Sequence, residues 1–375
     1  MTPPGGAANG RIPVMLMVRE LDQGGVERDV AKIATHLDPS RFEPHVGSYN
    51  ASGMRYDELR AAGIPLLRLP LEAPFSARGV SAGVLLWRYL KLHRIQVLHS
   101  YDVSGVLGAP VARCAGLPAI LTSQLSHRDI LDWKTQLALR MTDPIADLVV
   151  VNCDALRRYM IEVEGVPARR IEVCYNGVDT TQFYPAEGPR PDVLAGASLV
   201  VGTVCALRPE KGLPLLQEAF ARAARPPGTK LAIVGSGVEL PQLEANAARL
   251  GIAGESLFVP ATPDVPQWLR AIDIFVLPSY SEGFSNSLLE AMACGCAVIG
   301  SRVGGTPELT GEEERGLLFP RGDSGELARA LSLLMRNQDL RRELSARAVR
   351  FVRRSLTIEI AARRTGAIYE KLLAR

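Results

Sequence analysis

The sequence predicts an α/β protein made of two doubly wound domains, and three observations carry that prediction. The chain has 375 residues, too many for one ordinary core. Short apolar runs rich in strand formers alternate with stretches of helical periodicity. That alternation restarts once, after a proline-rich and glycine-rich break, so the pattern is present twice.

The first half opens on IPVMLMV (12–18), a strand candidate, followed by a Gly24-Gly25 loop. Val26, Val30, Ile33, Ala34 and Leu37 then recur at helical spacing. Further strand candidates are HVGSY, IQVLHS, AILTS, DLVVVN and IEVCYN, with helices at SAGVLLWRYLKLHR and DALRRYMIEVE. The stretch FYPAEGPRPDVLAGAS holds three prolines and two glycines and reads as the break. After it come the strand SLVVGTVCAL, the loop RPEKG, the helix LPLLQEAFARAA and the strand KLAIVGS. A helix at ELPQLEANAARL, strand SLFVP, helix VPQWLRAI, strands IDIFVLPS and CAVIGS, and a long arginine-rich helical tail complete it. The predicted organisation is a flexible tail over 1–11, a first domain over 12–184, a linker over 185–197 and a second domain over 198–354. A terminal helix over 355–375, whose apolar residues need a partner surface, is expected to pack back toward the first domain. A ligand is expected between the domains, at the carboxyl ends of the strands.

Composition narrows the chemistry. Lys and Arg number 43 against 40 Asp and Glu, and a net charge of +3 gives no reason to expect nucleic-acid binding. The six cysteines lie in apolar segments without C-x-x-C spacing, as reduced core thiols in a cytoplasmic protein do. MTPPGGAANGR lacks the pattern of a secretory leader, and no run approaches the ~18 apolar residues that span a bilayer. There is no D-x-D pair, P-loop, H-E-x-x-H or Cys/His ligand spacing, so no metal is expected. GSGVEL places Leu240 where a dinucleotide fingerprint needs its third glycine, which argues against a nicotinamide or flavin oxidoreductase.

The segment SEGFSNSLLEAMACG (281–295) carries two glutamates, Glu282 and Glu290. Eight residues apart on one helix, they would differ by about 80° in direction. A loop bearing Glu282, a turn at Gly283 and a helix starting near Ser285 to Ser287 fit better, with Glu290 in the first helical turn. Small residues at such a helix start, Ser285, Asn286 and Ser287, let an anion approach the unpaired N–H groups. The same residues also fit a capping box, Ser287-Leu-Leu-Glu290, which needs no ligand. Arg208 and Lys211, directly after the first strand of the second half, supply cations suited to a diphosphate.

Glu282 and Glu290 with this spacing, GGVER, VCYNGVDTTQF, LRPEKG, LAIVGSG and VGGTPEL together resemble the retaining family-4 glycosyltransferases of GT-B architecture. The resemblance implies two Rossmann-like domains facing each other across a cleft, and metal-independent hexosyl transfer from a nucleotide diphosphate sugar, UDP favoured over GDP. It implies a glycan or lipid-linked acceptor in cell-surface polysaccharide synthesis and no cofactor beyond the donor. By the same resemblance, Glu290 meets the ribose, Glu282 the transferred sugar, and Arg208 and Lys211 the leaving diphosphate. Gly283, Phe284 and the backbone at Ser287 and Leu288 belong to the same donor pocket. Gly24 and Gly25 approach the donor from the first half, and Val259 borders the base. The usual catalytic histidine is displaced: Gln124 stands near its place and His127 three residues on, while His99 ends another strand. Each histidine is an acceptor contact or merely a loop residue. GVLLWRYLKLHR is a basic amphipathic helix that either rests on an anionic inner-membrane face or packs on its own sheet. A non-catalytic nucleotide or glycan binder is the competing reading.

Overall fold

The computed structural model describes residues 10–22, 24–50, 52–71, 77–186 and 188–375, and the chain divides into two compact units, residues 1–177 with 358–375 and residues 178–357. Residues 1–9 of the expected tail, Gln23 and Glu187 lie outside the described residues.

The first unit alternates β1 (Ile12–Glu20), α1 (Gly25–His36), β2 (Phe42–Asn50), α2 (Met54–Ala61), β3 (Leu66–Arg68) and α3 (Ala77–Leu92). It continues through β4 (Val97–Tyr101), α4 (Gly105–Cys114), β5 (Ala119–Gln124), α5 (Trp133–Thr142), β6 (Leu148–Val151), α6 (Asp154–Glu162) and β7 (Ile171–Val173). The second unit runs β8 (Leu199–Val204), α7 (Leu213–Arg222), β9 (Thr229–Val234), α8 (Leu240–Arg249), β10 (Ser256–Val259) and α9 (Val265–Ala271). It ends with β11 (Ile274–Leu277), α10 (Asn286–Cys294), β12 (Ala297–Ser301), α11 (Thr306–Thr310), β13 (Leu317–Phe319), α12 (Ser324–Arg336) and α13 (Gln338–Ser355). A last helix, α14 (Ile358–Leu373), returns to the first unit.

Both sheets are parallel, ordered β3-β2-β1-β4-β5-β6-β7 and β10-β9-β8-β11-β12-β13. Each order reverses direction once, between β1 and β4 and between β8 and β11. Right-handed crossovers therefore send helices to opposite faces on either side of the reversal. Alternation along the central strand makes this visible. Val14, Leu16 and Val18 pack with α1 and α14, whereas Met15 and Met17 pack with α3 and α4. Buried on both faces, such strands read as unbroken apolar runs.

Two boundaries differ from the sequence expectation. The first unit ends at Gly177, so residues 178–184 and the expected linker 185–197 belong to the second unit. There Arg190 bonds the Asp273 carboxylate at 2.7 Å, and Leu194 is buried, so the prolines bend a segment that packs. The arginine-rich tail is two helices. Leu356 and Thr357 break it, with Val178 N–H bonded to the Leu356 carbonyl, so that α13 stays with the second unit and α14 enters the core around Phe42. Tyr369 and Ile368 supply the apolar face that needed a partner. Cys114 is exposed at the end of α4, against the expectation that all six thiols sit in the core.

The largest fully buried side chain of the first unit is charged. Arg128 meets Asp143 at 2.8 Å and Glu164 at 3.3 Å, and its Nε donates to Gln124 Oε1 at 2.9 Å. Removing one partner of a buried pair strands the other charge at about 3–5 kcal/mol. Arg128→Ala is expected to destabilise the first unit by roughly 3 kcal/mol or more. Urea unfolding followed by circular dichroism measures it, and an unchanged midpoint contradicts the assignment.

Candidate active site

The carboxyl ends of β8 and β11 adjoin at the second unit's reversal point, and the loops leaving them carry the cations and Glu282. Backbone contacts lock those loops together. Tyr280 N–H bonds the Glu210 carbonyl at 2.8 Å. Gly212, at φ 64°, lies so close to Pro278 that a Cβ would stand 2.3 Å from its carbonyl oxygen. A third loop, after β12, presses on the same place: Gly305 N–H bonds the Gly283 carbonyl at 2.7 Å, and Gly304, at φ 50°, leaves its absent Cβ 2.0 Å from the Glu282 carbonyl oxygen. Glycine is required there both for the left-handed backbone and for the approach.

Within this clamp Glu282 Oε1 accepts from Lys211 Nζ at 2.7 Å and from Ser279 Oγ at 2.6 Å. The Ser279 carbonyl in turn accepts from Ser301 Oγ at 2.6 Å, so three strand ends meet in one hydrogen-bonded chain. Glu282 keeps 9% of its side-chain surface and Lys211 19%. Burial alone would push the Lys211 ammonium down. The attraction of Glu282 and its hydrogen bond outweigh that, and hold it above the ordinary lysine range. Arg208 stays exposed beside Glu210, at 3.3 Å.

The helix α10 starts where the sequence places it, with a different cap. Ser285 is the N-cap, its Oγ accepting from Leu288 N–H at 3.3 Å and standing 3.2 Å from Ser287 Oγ. The capping box from Ser287 to Glu290 does not form, because Ser287 is already helical. Leu288 N–H is thereby taken by the cap, which corrects its assignment as a free anion donor. Glu290 falls in the second helical turn rather than the first and is 2% exposed. Phe284 is buried and anchors the loop. Asn286 sits at the first helical position. Val259 closes β10 with its carbonyl accepting from Gly235 N–H at 2.8 Å. Gly235 and Gly237 of GSGVEL serve close packing, their absent Cβ atoms 1.8 Å and 2.2 Å from the carbonyl oxygens of Cys205 and Leu207.

The remaining candidates lie in the first unit. Gly24 and Gly25 start α1, and the Glu27 carboxylate lies against Gly24. His99 is inside β4, not at a strand end, and both ring nitrogens are engaged: Nδ1 with Tyr369 OH and Nε2 with Ser123 Oγ, each at 2.7 Å. Its ring stacks on Tyr101 at 4.4 Å. Burial pushes its pKa down to about 3. A neutral ring with both nitrogens used internally ties α14 to the sheet, and this corrects its reading as a catalytic candidate. His127 packs edge-on against Tyr159 at 4.5 Å and is lowered by burial, while Gln124 is held by Ser126 and Arg128.

Sequence reasoning missed Ser279, Ser301 and Gly304, although each closes or follows a recognised strand. It also missed Asp102, directly after β4 at the first unit's own reversal point. Asp102 adopts a left-handed backbone at φ 47° and accepts from Leu125 N–H at 3.1 Å. Burial raises its pKa to about 6, against the opposing Leu125 bond and with a further push from Glu27.

Comparison with known proteins agrees with this layout. The model for glycosyl transferases group 1 matches residues 190–351, and that for glycosyltransferase family 4 matches residues 23–182. The D-inositol 3-phosphate glycosyltransferase of Acidothermus cellulolyticus is 30% identical, with 92% of this chain and 82% of that protein covered. The chain belongs to the family-4, group 1 glycosyltransferases. Among other relatives in the family, the lipopolysaccharide core mannosyltransferase LpsB of Rhizobium meliloti is 30% identical, covering 68% of this chain and 77% of LpsB. Anabaena HepE, solved with UDP and glucose, shares the fold with a TM-score of 0.83 at 22% identity, over 96% of this chain and all of HepE (100%).

Two outcomes follow from this geometry. His99 has a folded pKa of about 3, below its unfolded value near 6.5, so the unfolded chain takes the proton first. Its contribution is fully present above pH ~6.5 and is lost as pH falls toward 3. His99→Gln is expected to flatten the decline of urea midpoints between pH 6.5 and 4. A slope as steep as wild type contradicts the buried neutral ring. Gly304→Ala is expected to displace the Glu282 backbone and cut transfer activity more than tenfold. Gly63→Ala, at φ 71° with open space around it, carries only the backbone strain of about 1 kcal/mol and leaves activity intact.

Proposed function

We propose that this glycosyltransferase moves a hexose from a nucleotide diphosphate donor, with UDP favoured, to a hydroxyl of a glycan or lipid-linked acceptor, retaining anomeric configuration and needing no metal. The observation that carries the reading is the clamped Lys211–Glu282–Ser279 constellation beside the start of α10. UDP as the donor nucleotide is supported by the likeness to HepE, and a cell-surface acceptor by the likeness to LpsB, named for lipopolysaccharide core biosynthesis.

An ammonium has three N–H donors, so Lys211 satisfies Glu282 with one and offers others to a phosphate oxygen. Exposed Arg208 adds a second cation with a fork matched to phosphate geometry. Negative charge accumulating on the diphosphate as its bond to the anomeric carbon breaks is stabilised by these fixed charges, without reorganisation. The acceptor oxygen bonds the same face of that carbon, and its proton passes to the leaving phosphate oxygen. Glu282, oriented by two donors on Oε1, keeps Oε2 for a sugar hydroxyl, and its charge favours the positive character of the reacting sugar. Glu290 binds the ribose.

Glu290→Ala is expected to raise the donor dissociation constant roughly 10- to 100-fold, the worth of a charged hydrogen bond, with a smaller change in kcat. Glu282→Gln is expected to lower kcat about 10²-fold or more with little change in donor affinity. Isothermal titration with UDP-sugars and transfer assays with and without EDTA measure both, and NMR of the product reads the anomeric configuration. Wild-type turnover in both variants, an EDTA-abolished reaction, or an inverted product contradicts the proposal. Donor binding without transfer or hydrolysis would favour the non-catalytic binder.

A further inference from the structure

Helix α5 turns its apolar stripe the wrong way. A helix packed on a sheet ordinarily hides its apolar face and shows a polar one. In α5, Ala138 and Leu139 face inward against Val106 of α4, while Trp133, Leu137 and Met141, spaced four apart, are 69%, 50% and 69% exposed. Ile130, just before the helix, is exposed as well. Helix α3 behaves similarly: Ala82, Leu86 and Leu90 pack inward with Ala109 and Ala112 of α4, and Val80, Val84 and Trp87 stay outside. Both helices flank α4 on the same face of the first sheet, so their outer stripes belong to one side of the unit.

The charges carried by the two helices have one sign. Neither α3 nor α5 contains an Asp or Glu. Arg88, Lys91 and Lys134 are exposed on them, whereas Arg140 is bound by Glu164 at 2.9 Å. Among the described residues, the acids beside them are Glu164 on Arg140, exposed Asp129 next to Ile130, and Asp132, which accepts from Lys134 N–H, Thr135 N–H and Thr135 Oγ. Of the three tryptophans, Trp87 and Trp133 are exposed here and the third, Trp268, is buried in the second unit.

We propose that the outer faces of α3 and α5 dock the first unit on an anionic lipid surface. Tryptophan prefers the headgroup level of a bilayer, aliphatic side chains between cations enter the acyl boundary, and lysine and arginine meet lipid phosphates. Sequence pattern pointed to α3 alone; α5 supplies the stronger stripe. The surface is independent of the donor site, so its test does not need the reaction.

Full-length protein is incubated with vesicles of phosphatidylglycerol and phosphatidylcholine in equal parts, or of phosphatidylcholine alone, and sedimented. Binding is expected to the anionic vesicles, to weaken as salt shortens the reach of the charges, and to be slight on phosphatidylcholine. The triple variant Trp133→Ser, Leu137→Ser, Met141→Ser is expected to lower partitioning more than tenfold at unchanged melting temperature. Replacing Arg88, Lys91 and Lys134 with Ser is expected to abolish the preference for anionic lipid. Should the triple variant melt early, brominated lipid decides in the Trp87→Phe protein: quenching of Trp133 supports the proposal and its absence overturns it. Equal partitioning of a well-folded triple variant overturns it, as does failure of the wild type to bind. So does a vesicle-independent dimer that the triple variant abolishes.

Discussion

A partly buried ammonium and carboxylate are stable together only if each is held where the other needs it, and the Lys211–Glu282 contact is the constraint on which the second unit's chemistry depends. Two charges taken from water lose hydration that their mutual attraction restores only at good geometry. Here the geometry is supplied by backbone. Tyr280, Gly212 and Gly305 tie three loops by hydrogen bonds or close approach, and Ser279 and Ser301 carry the tie into side chains. That three loops meet at all follows from strand order. In the sheet β8 lies beside β11, and β11 beside β12, although β9, β10 and the helices α7, α8 and α9 come between β8 and β11 in the chain.

Much of this was legible in the sequence because it rests on periodicity and position. Apolar runs gave the strands, since parallel strands buried on both faces carry no alternation to confuse. The loops following β8 and β11 were marked by Arg208, Lys211 and Glu282, two cations and a carboxylate after the carboxyl ends of adjacent strands. What escaped depends on partners far along the chain. Nothing local distinguishes Ser279 from any serine after a strand; its meaning lies in Glu282 on one side and Ser301 on the other. Arg128 carries no local sign of its role because its acids, Asp143 and Glu164, are 15 and 36 residues away. His99 looked like a strand-end residue because β4 is short in the pattern and its second partner, Tyr369, arrives from 270 residues later.

The break at Leu356–Thr357 shows how a composition signal and a packing signal can diverge. Arginines run through the tail without interruption, and their density suggests one solvated helix. Apolar residues divide it: Leu344, Ala348 and Val352 are buried within the second unit, and Ile358, Ala361, Ile368 and Tyr369 within the first. The chain stops being helical for two residues, and Val178 N–H, at the other crossing between the units, bonds the Leu356 carbonyl left over at that stop.

The same comparison of units explains why their reversal points differ in charge. In the second, the loops after β8 and β11 present Arg208 beside Glu210 and Lys211 against the clamped Glu282. In the first, the ends of β1 and β4 bring Arg19 and Glu20 together with Glu27 of α1 and Asp102, and Asp102 is held in a left-handed turn with its pKa raised to about 6 by burial. Burial holds this carboxyl less acidic than a free one, against the Leu125 N–H bond that favours its charge. One topology has thus been given two electrostatic characters by a few residues at its strand ends.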